Sequence, residues 1–418
     1  MAHARKRWLS TQIQAELKWS PAVALYGLRQ VGKTTLAQTL AKQLGGTYIT
    51  FDDEAQRESS RLSPKEFCER KGLLCIDEVQ KGAWLFPVIK TQVGTKRTPG
   101  RFLLTGSIRF TSRKDIYESL TGRILTHELL PFSFAEARDE EPSTFLATCF
   151  KELMDNRKIS TSTLIETLFA SNRSASLKDL NRYYAQGGIP IPGFTREPLK
   201  RQAWFRSYFD TLIARDVPLV EPKLSHLSLR QGHAFLRALA LDQGQESSAT
   251  ILADRAGIRP LQATQLLRAL EILCVIDRIP PYVLAKKSVR KLRTEWKDIA
   301  LRNNAVGLQE GTEPGETEMR CLIGQEFRSQ LSLLSPAPTW HFYRSREGGN
   351  IPWIFRQGKA ILALYYSNKE RPEPYDTRTL RSFLNTEKHS LGIFLGSRKT
   401  VPVVLGERLI VLPFQSIF

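Results

Sequence analysis

Along the first 135 residues, apolar runs alternate with amphipathic stretches in the manner of short buried strands separated by helices. Residues 22–26 (AVALY) have strand character, and in the following TLAQTLAKQL the side chains Leu36, Leu40 and Leu44 share one helical face. Apolar runs at 47–51, 73–76, 101–107 and 124–130 predict four further strands. Beyond residue 137 the pattern loosens. ARDEEPS reads as a linker start, with short helical stretches near 143–155 and 160–170, a turn at Gly187-Gly188 and a helix over 202–216. Residues 248–277 read as helix, tight turn at Gly257, helix, with Ile251, Leu252 and Ala256 lining the first and Leu266, Leu267 and Leu270 the second. Strand character returns over 272–279. Residues 311–418 alternate again: a helix over 318–334, then strands at 341–343, 352–355, 360–366, 391–395 and 409–412. The expected class is α/β, in four parts: 1–136, 137–245, 246–310 and 311–418.

The first strand leads straight into Gly27-Leu-Arg-Gln-Val-Gly32-Lys33-Thr34, which fits G-x-x-x-x-G-K-[ST] between a strand and a helix. Two glycines let the backbone curl so that its N–H groups face phosphate oxygens at the positive end of the helix. Lys33 would reach the β- and γ-phosphates and Thr34 would ligate Mg²⁺, so ATP with Mg²⁺ is the expected cofactor pair. The nucleotide-binding set is Gly27, Gln30, Val31, Gly32, Lys33, Thr34, Thr35 and Asp77.

The run at 73–76 ends in Asp77-Glu78, two carboxylates at the end of a strand where α/β sheets place ligands. Asp77 suits Mg²⁺ through water, and Glu78 suits orientation and deprotonation of an attacking water, which favours hydrolysis over small-molecule kinase chemistry. Ser107, or Thr105, ends the next strand where it could sense the γ-phosphate. Arg123 could act as an arginine finger or sit in a surface ion pair. Asp52-Asp53 either support the site from behind or cap a helix. Arg206 or Arg215 could reach the nucleotide from a lid, or Arg215 could pair with Asp216.

Composition then narrows the setting. The 418 residues carry 61 Lys+Arg against 42 Asp+Glu, a net charge of +19, distributed as +9 on 1–135, +2 on 136–245, +4 on 246–310 and +4 on 311–418. Such a surplus favours an anionic partner such as nucleic acid. Six of the twelve residues over 286–297 are basic. They follow the helix-turn-helix where the wing of a winged helix would lie. Lys286, Lys287, Arg290, Lys291 and Arg293, with Gln262, Thr264, Gln265 and Arg268 on the second helix, are the candidate DNA contacts. The competing use of such a unit is protein–protein packing. Five scattered cysteines form no C-x-x-C pair, which argues against a disulfide or zinc scaffold and for the cytoplasm. No apolar run approaches a membrane span.

GLRQVGKTT, LLCIDEVQK, RFLLTGS and SLTGRI, in this order, resemble the prokaryotic AAA+ ATPases that carry a C-terminal domain of unknown function. The resemblance continues through Pro131-Phe-Ser-Phe-Ala-Glu136 and the Gly187-Gly188, Tyr208 and Arg215-Asp216 segment. It implies an ASCE-type parallel sheet, a helical lid, a winged helix and Ser107 in the first sensor position. With Arg123 it also implies a homo-oligomer, for which a hexameric ring is one arrangement. Over 311–418 it implies a PD-(D/E)XK nuclease-like fold. The metal positions of that fold are occupied here by Pro352, Leu364 and Tyr366, none of which ligates Mg²⁺ or replaces a lysine, and Glu347 and Glu326 do not restore the spacing. The expected function is a Mg²⁺-dependent ATPase acting on duplex or branched DNA as a motor or remodeller. The alternative is a nucleotide-dependent switch or scaffold for a partner protein. An active nuclease is the third and weakest reading.

Overall fold

The computed structural model describes residues 5–109, 122, 124–155, 164–165, 175–283 and 291–418. Its first sheet contains β1 (Ala22–Tyr26), β2 (Thr47–Thr50), β3 (Leu74–Asp77), β4 (Phe102–Gly106) and β5 (Leu125–Glu128). The strands are all parallel, in the order β2-β3-β4-β1-β5. Apolar side chains on both faces explain why the central strands read as continuous hydrophobic runs. Val23, Leu25 and Leu103 pack with the helices Trp8–Leu17 and Lys33–Gln43, while Ala24, Ile76 and Leu104 pack with Leu85–Thr95. The register aligns Tyr26 with both Gly106 and Glu128, and Thr50 with Asp77. The carboxyl ends of the strands therefore share one rim, and the loops after them converge.

The first of these cores does not stop at the sheet. It continues through Phe205, Leu212, Leu239, Leu252, Leu266, Leu270 and Leu301, so the helices between 198 and 306 share it. Within them, the helix Ala249–Ala256, left-handed Gly257 (φ 64°) and the helix Pro260–Ile272 precede an antiparallel pair, β6 (Ile276–Ile279) with β7 (Arg293–Trp296). Leu252, Ala253 and Ala256 face inward there, whereas Ile251 is half exposed. Inward spacing of i, i+1 and i+4 on so short a helix turns residue 251 outward.

A second core belongs to the C-terminal sheet. Its strands are β8 (Thr339–Arg344), β9 (Asn350–Gln357), β10 (Ala360–Tyr366), β11 (Ser390–Gly396), β12 (Val403–Val404) and β13 (Leu409–Pro413). Their order is β12-β13-β11-β10-β9-β8. β8, β9 and β10 run antiparallel; β10, β11 and β13 run parallel, with the helix Pro374–Thr386 between β10 and β11. The helix Phe145–Met154 packs into this core through Cys149, Phe150 and Leu153, beside Phe327, Trp353 and Leu362. Residues 145–154, grouped by sequence with the lid, thus share their core with the C-terminal sheet. Of the helical stretch expected over 160–170, only 164–165 lie within the described residues.

Candidate functional site

The loop between β1 and the helix Lys33–Gln43 owes its shape to two glycines. Gly27 adopts φ 154°, and a β-carbon there would lie 2.4 Å from the Leu129 carbonyl oxygen. Gly32 adopts φ 101° as the N-cap, a conformation that side chains disfavour. The first turn of the helix consequently points its free N–H groups into the loop. The Lys33 side chain is buried, and its Nζ donates to the carbonyls of Gly27 and Leu28, both at 2.9 Å. Burial lowers its pKa from the usual lysine value, opposed by Glu78, Cys274 and Asp77.

Asp77, at the end of β3, is buried and accepts hydrogen bonds from three hydroxyls: Thr34 at 2.7 Å, Tyr48 at 2.9 Å, and Thr105. Glu78 follows in the left-handed region (φ 53°), which turns its side chain to the rim. There its carboxylate accepts from Ser107 Oγ at 2.7 Å and from the Gln80 side-chain amide. One loop thus places two carboxylates in different settings. Asp77 sits among hydroxyls against the phosphate loop, and Glu78 stands at the cavity wall beside the tip of β4. The Thr34 hydroxyl and the Asp77 carboxylate are hard oxygen donors at hydrogen-bond separation, and this pair fits Mg²⁺.

These groups open onto a cavity of about 910 Å³, lined by Gln30, Gly32, Lys33, Thr34, Thr35, Glu78, Gln80 and Ser107. That volume suits a nucleotide-sized ligand. Its opposite wall is apolar and helical, with Pro190, Ile191, Tyr208, Leu212, Leu219 and Val220. A π-turn over Leu212–Asp216 brings Arg215 and Asp216 to the same cavity. Arg29 of the phosphate loop donates to both Asp216 carboxylate oxygens, at 3.1 and 3.0 Å, and so ties loop to lid. Arg215 Nε also donates to Asp216, at 3.1 Å, while Arg206 is exposed and lies outside the cavity lining.

The sequence-predicted nucleotide residues come together, with two exceptions in kind. Val31 is fully buried and acts through its carbonyl, which accepts from Arg7. Gly27 shapes the loop from behind. Asp53 caps the helix Glu54–Leu62, accepting from Ala55 and Gln56, whereas Asp52 lines the cavity and pairs with Lys81. Tyr48, Gln80 and the Arg29–Asp216 tie were not singled out from sequence, because nothing in strand or helix periodicity marks a side chain that acts across to a neighbouring element.

The candidate DNA contacts fare differently. Arg268 lines the nucleotide cavity with Ala269 and Ile272, so the second helix of the helix-turn-helix forms part of that wall. Gln262 folds back to accept from the Arg259 backbone, and Thr264 donates to Pro260. Gln265 is half-buried and Lys291 exposed. Arg293 corrects the sequence expectation. It is buried on β7, paired with Glu295 at 2.6 Å and donating to the Pro352 carbonyl, and is not a free wing cation. Arg123, Lys286, Lys287 and Arg290 lie outside the described residues.

At the three nuclease-like positions, Pro352, Leu364 and Tyr366 are buried in β9 and β10. Glu326 is buried, accepting from the Phe134 backbone and Gln330, and Glu347 pairs with Arg378. Among the described residues no cluster of three or more His, Cys, Asp or Glu could hold a metal ion, and no helix is long and apolar enough to cross a membrane.

Residues 20–138 match the AAA domain family, and residues 177–312 match a domain of unknown function, DUF8612. An uncharacterized protein of Mycobacterium tuberculosis is 26% identical over 386 residues, covering 91% of this chain and 77% of its own length. An uncharacterized protein of Mycobacterium bovis matches to the same extent. Among solved structures, the Walker-type ATPase of Pyrococcus abyssi has a TM-score of 0.41 at 16% identity, covering 71% of this chain and 94% of that one. RuvB of Thermotoga maritima has a TM-score of 0.31 at 15% identity, covering 65% and 89%. Phosphate loop, paired carboxylates and parallel sheet order agree with the match of residues 20–138 to the AAA domain family: that part of the chain has the P-loop AAA fold, and a domain of unknown function follows it over 177–312.

Proposed function

We propose that this chain is a Mg²⁺-dependent ATPase that acts in association with DNA, with Lys33, Thr34, Asp77, Glu78 and Ser107 as its working set. The observation that carries the chemistry is the convergence of these five side chains on one rim, closed by a lid tied to the phosphate loop through Arg29 and Asp216. Bound there, Mg²⁺ would be held by Thr34 and Asp77 and would offset charge on the phosphate oxygens. Lys33 binds phosphate and leaves its loop carbonyls to do so. Glu78 orients a water and takes its proton, for which it must exchange the donors Ser107 and Gln80 for that water. Ser107 then has a free hydroxyl for the γ-phosphate. Lys33→Ala should abolish nucleotide binding, and Glu78→Gln should bind ATP while turnover falls ~100-fold or more. Parent-rate hydrolysis by Glu78→Gln would remove Glu78 from this role.

DNA association rests on the +19 charge and on the helix-turn-helix and hairpin, which we read as a winged helix. ATP turnover with single-stranded, duplex and branched DNA at two salt concentrations tests it. Stimulation by one form, lost on reversing Lys286, Lys287, Arg290 and Lys291, is the expected result, and turnover indifferent to all DNA would refute it. A specific observation favours the second reading, a nucleotide-dependent switch. Arg268, Ala269 and Ile272 line the nucleotide cavity, so a nucleotide that contacts them differently before and after hydrolysis would bias the position of this unit whatever it binds. ATP-dependent oligomerisation without DNA stimulation would support that reading. A ring, with Arg123 acting across subunits, belongs to both. The C-terminal sheet we read as a nuclease-like scaffold without nuclease activity, kept for binding or assembly. Metal-dependent DNA cleavage by the purified protein, scored beside Lys33→Ala, would overturn that.

A further inference from the structure

Behind the nucleotide cavity lies a group of six charged side chains that the chemistry above does not use. Two residues past Ser107, Arg109 leaves β4 and donates its backbone N–H to Ile272 O at 3.0 Å. Its guanidinium sits 3.5 Å from Asp277, 3.7 Å from Glu271 and 4.0 Å from Glu128. Lys297, almost fully buried, pairs with Glu128 and, at 3.3 Å, with Asp277. Arg328 reaches the same two carboxylates from the helix Glu316–Leu331, at 2.9 Å to Glu128 and in direct contact with Asp277.

Three cations and three carboxylates balance, and they come from separate parts of the molecule. Glu128 and Arg109 belong to the P-loop sheet and its sensor strand, Glu271, Asp277 and Lys297 to the helix-turn-helix and hairpin, and Arg328 to the C-terminal domain. Partly buried charges in one network cannot be removed singly without leaving another uncompensated, so the network holds the three parts of the molecule in register here. Its nearest route to the chemistry is short: Arg109, Ile108, then Ser107, whose hydroxyl holds Glu78 at 2.7 Å.

We propose that Arg109 and Arg328 are positioning residues, through which the C-terminal domain fixes the strand tip that carries Ser107, so that its hydroxyl meets the γ-phosphate once Glu78 has released it, and thereby sets the rate of ATP hydrolysis. This rests on the ATPase reading for its rate, and on the geometry alone for its effect on the strand tip. The guanidinium of Arg328 spans both buried carboxylates, so removing it leaves Asp277 and Glu128 to Lys297 and Arg109 alone and loosens the hold of the network on Arg109. Neither arginine lines the nucleotide cavity, so affinity should be spared while turnover falls.

The test uses the full-length protein and two substitutions at the remote position, Arg328→Met and the charge-preserving Arg328→Lys. Steady-state kinetics should show kcat reduced ~5-fold or more in Arg328→Met with KM for ATP within about twofold, and partial recovery in Arg328→Lys. Amide hydrogen exchange over residues 102–109, with and without a non-hydrolysable ATP analogue, provides the second readout. Arg328→Met should speed exchange there and blunt the protection given by the analogue, and Arg328→Lys should restore it in part. A folded Arg328→Met with parent kcat and parent exchange over 102–109 would overturn the proposal. If the parent protein shows no turnover, the ATPase reading fails, and the exchange measurement still decides for or against the tether. Should Arg328→Met not fold, the same pair of readouts on Arg328→Lys decides, with unchanged kcat and exchange counting against.

Discussion

Glu128 offers the sharpest stability test. Burial alone would raise its pKa, but Lys297, Arg328 and Arg109 outweigh that effect and hold it at about 2 against an ordinary 4.5. A carboxylate so lowered in the native state adds stability above its unfolded value, and that stability is lost as pH falls toward the native one. The window therefore runs from about pH 4.5 down to about 2, and the contribution at neutral pH is about 3 kcal/mol. Glu128→Gln removes it and also leaves Lys297, only 1% exposed at its side chain, with Asp277 as its remaining partner in the cluster. Loss of one member of a buried pair costs about 3–5 kcal/mol. Urea unfolding of the parent and Glu128→Gln at pH 7 and at successive points down to pH 3 would measure this. The two curves should lie about 3–5 kcal/mol apart at pH 7 and converge as pH drops below 4. A gap under about 1 kcal/mol at pH 7, or one that stays constant through the acid range, would mean that the network does not stabilise Glu128 as argued.

Other expectations follow from the site. Asp216→Asn removes the charge from the bifurcated tie to Arg29 Nη1, and losing about 1–2 kcal/mol of lid closure should weaken ATP binding ~5- to 30-fold, read by titration calorimetry; unchanged affinity would show that the lid closes without it. Tyr48→Phe removes one of three hydroxyls from Asp77 and should raise the Mg²⁺ concentration for half-maximal turnover by up to ~10-fold with little change in saturated kcat. A shift in kcat alone would place Tyr48 elsewhere in the mechanism. Asp298 is a buried helix cap whose pKa is raised by burial to about 6, only partly offset by the N–H groups of Gly188 and Leu301. An acid with its native pKa raised costs stability as it ionises, so its share should decline as pH rises from about 4 to 6, opposite in sign to Glu128. Carboxyl NMR of Asp298 should titrate near 6, and a midpoint below 4 would contradict the burial argument.

The first 130 residues were legible because the central strands β1, β3 and β4 are sheathed on both faces and the acidic and sensor groups sit at strand ends. In such a sheet, apolar run length and the next polar residue suffice to find Asp77, Glu78 and Ser107. Strands β9, β10, β11 and β13 were legible for the same reason, whereas Val403–Val404 is a two-residue edge strand too short to show a period. What stayed hidden was contact across elements. Tyr48 reaches Asp77 from the neighbouring strand, and Asp216 reaches Arg29 across 187 residues of chain. The helix Phe145–Met154 has an apolar face that reads alike whether it covers the lid or the C-terminal sheet.

Arg268 is exposed and also lines the nucleotide cavity, so its charge faces a second anionic ligand besides DNA. In sequence it is one cation among many on a helix-turn-helix, and the surplus around it argues for a groove in DNA. In the fold, Leu266, Leu267 and Leu270 commit one face of that helix to the shared core, which leaves Arg268 and Ala269 at the nucleotide cavity. By contrast, Arg293 and Lys297 are buried against Glu295, Glu128 and Asp277. Of the six basic residues over 286–297, these two serve the interior, and Lys291 is the exposed one among those described. Net charge is a property of composition, but a partner meets only the charge that packing leaves outside. The +4 of residues 246–310 therefore overstates their DNA-facing share. The charge-reversal test at Lys286, Lys287, Arg290 and Lys291 is the right one because it omits the two cations that the fold has already used. Reversing Arg293 or Lys297 as well would lower DNA stimulation by unfolding the hairpin, and that loss would say nothing about DNA.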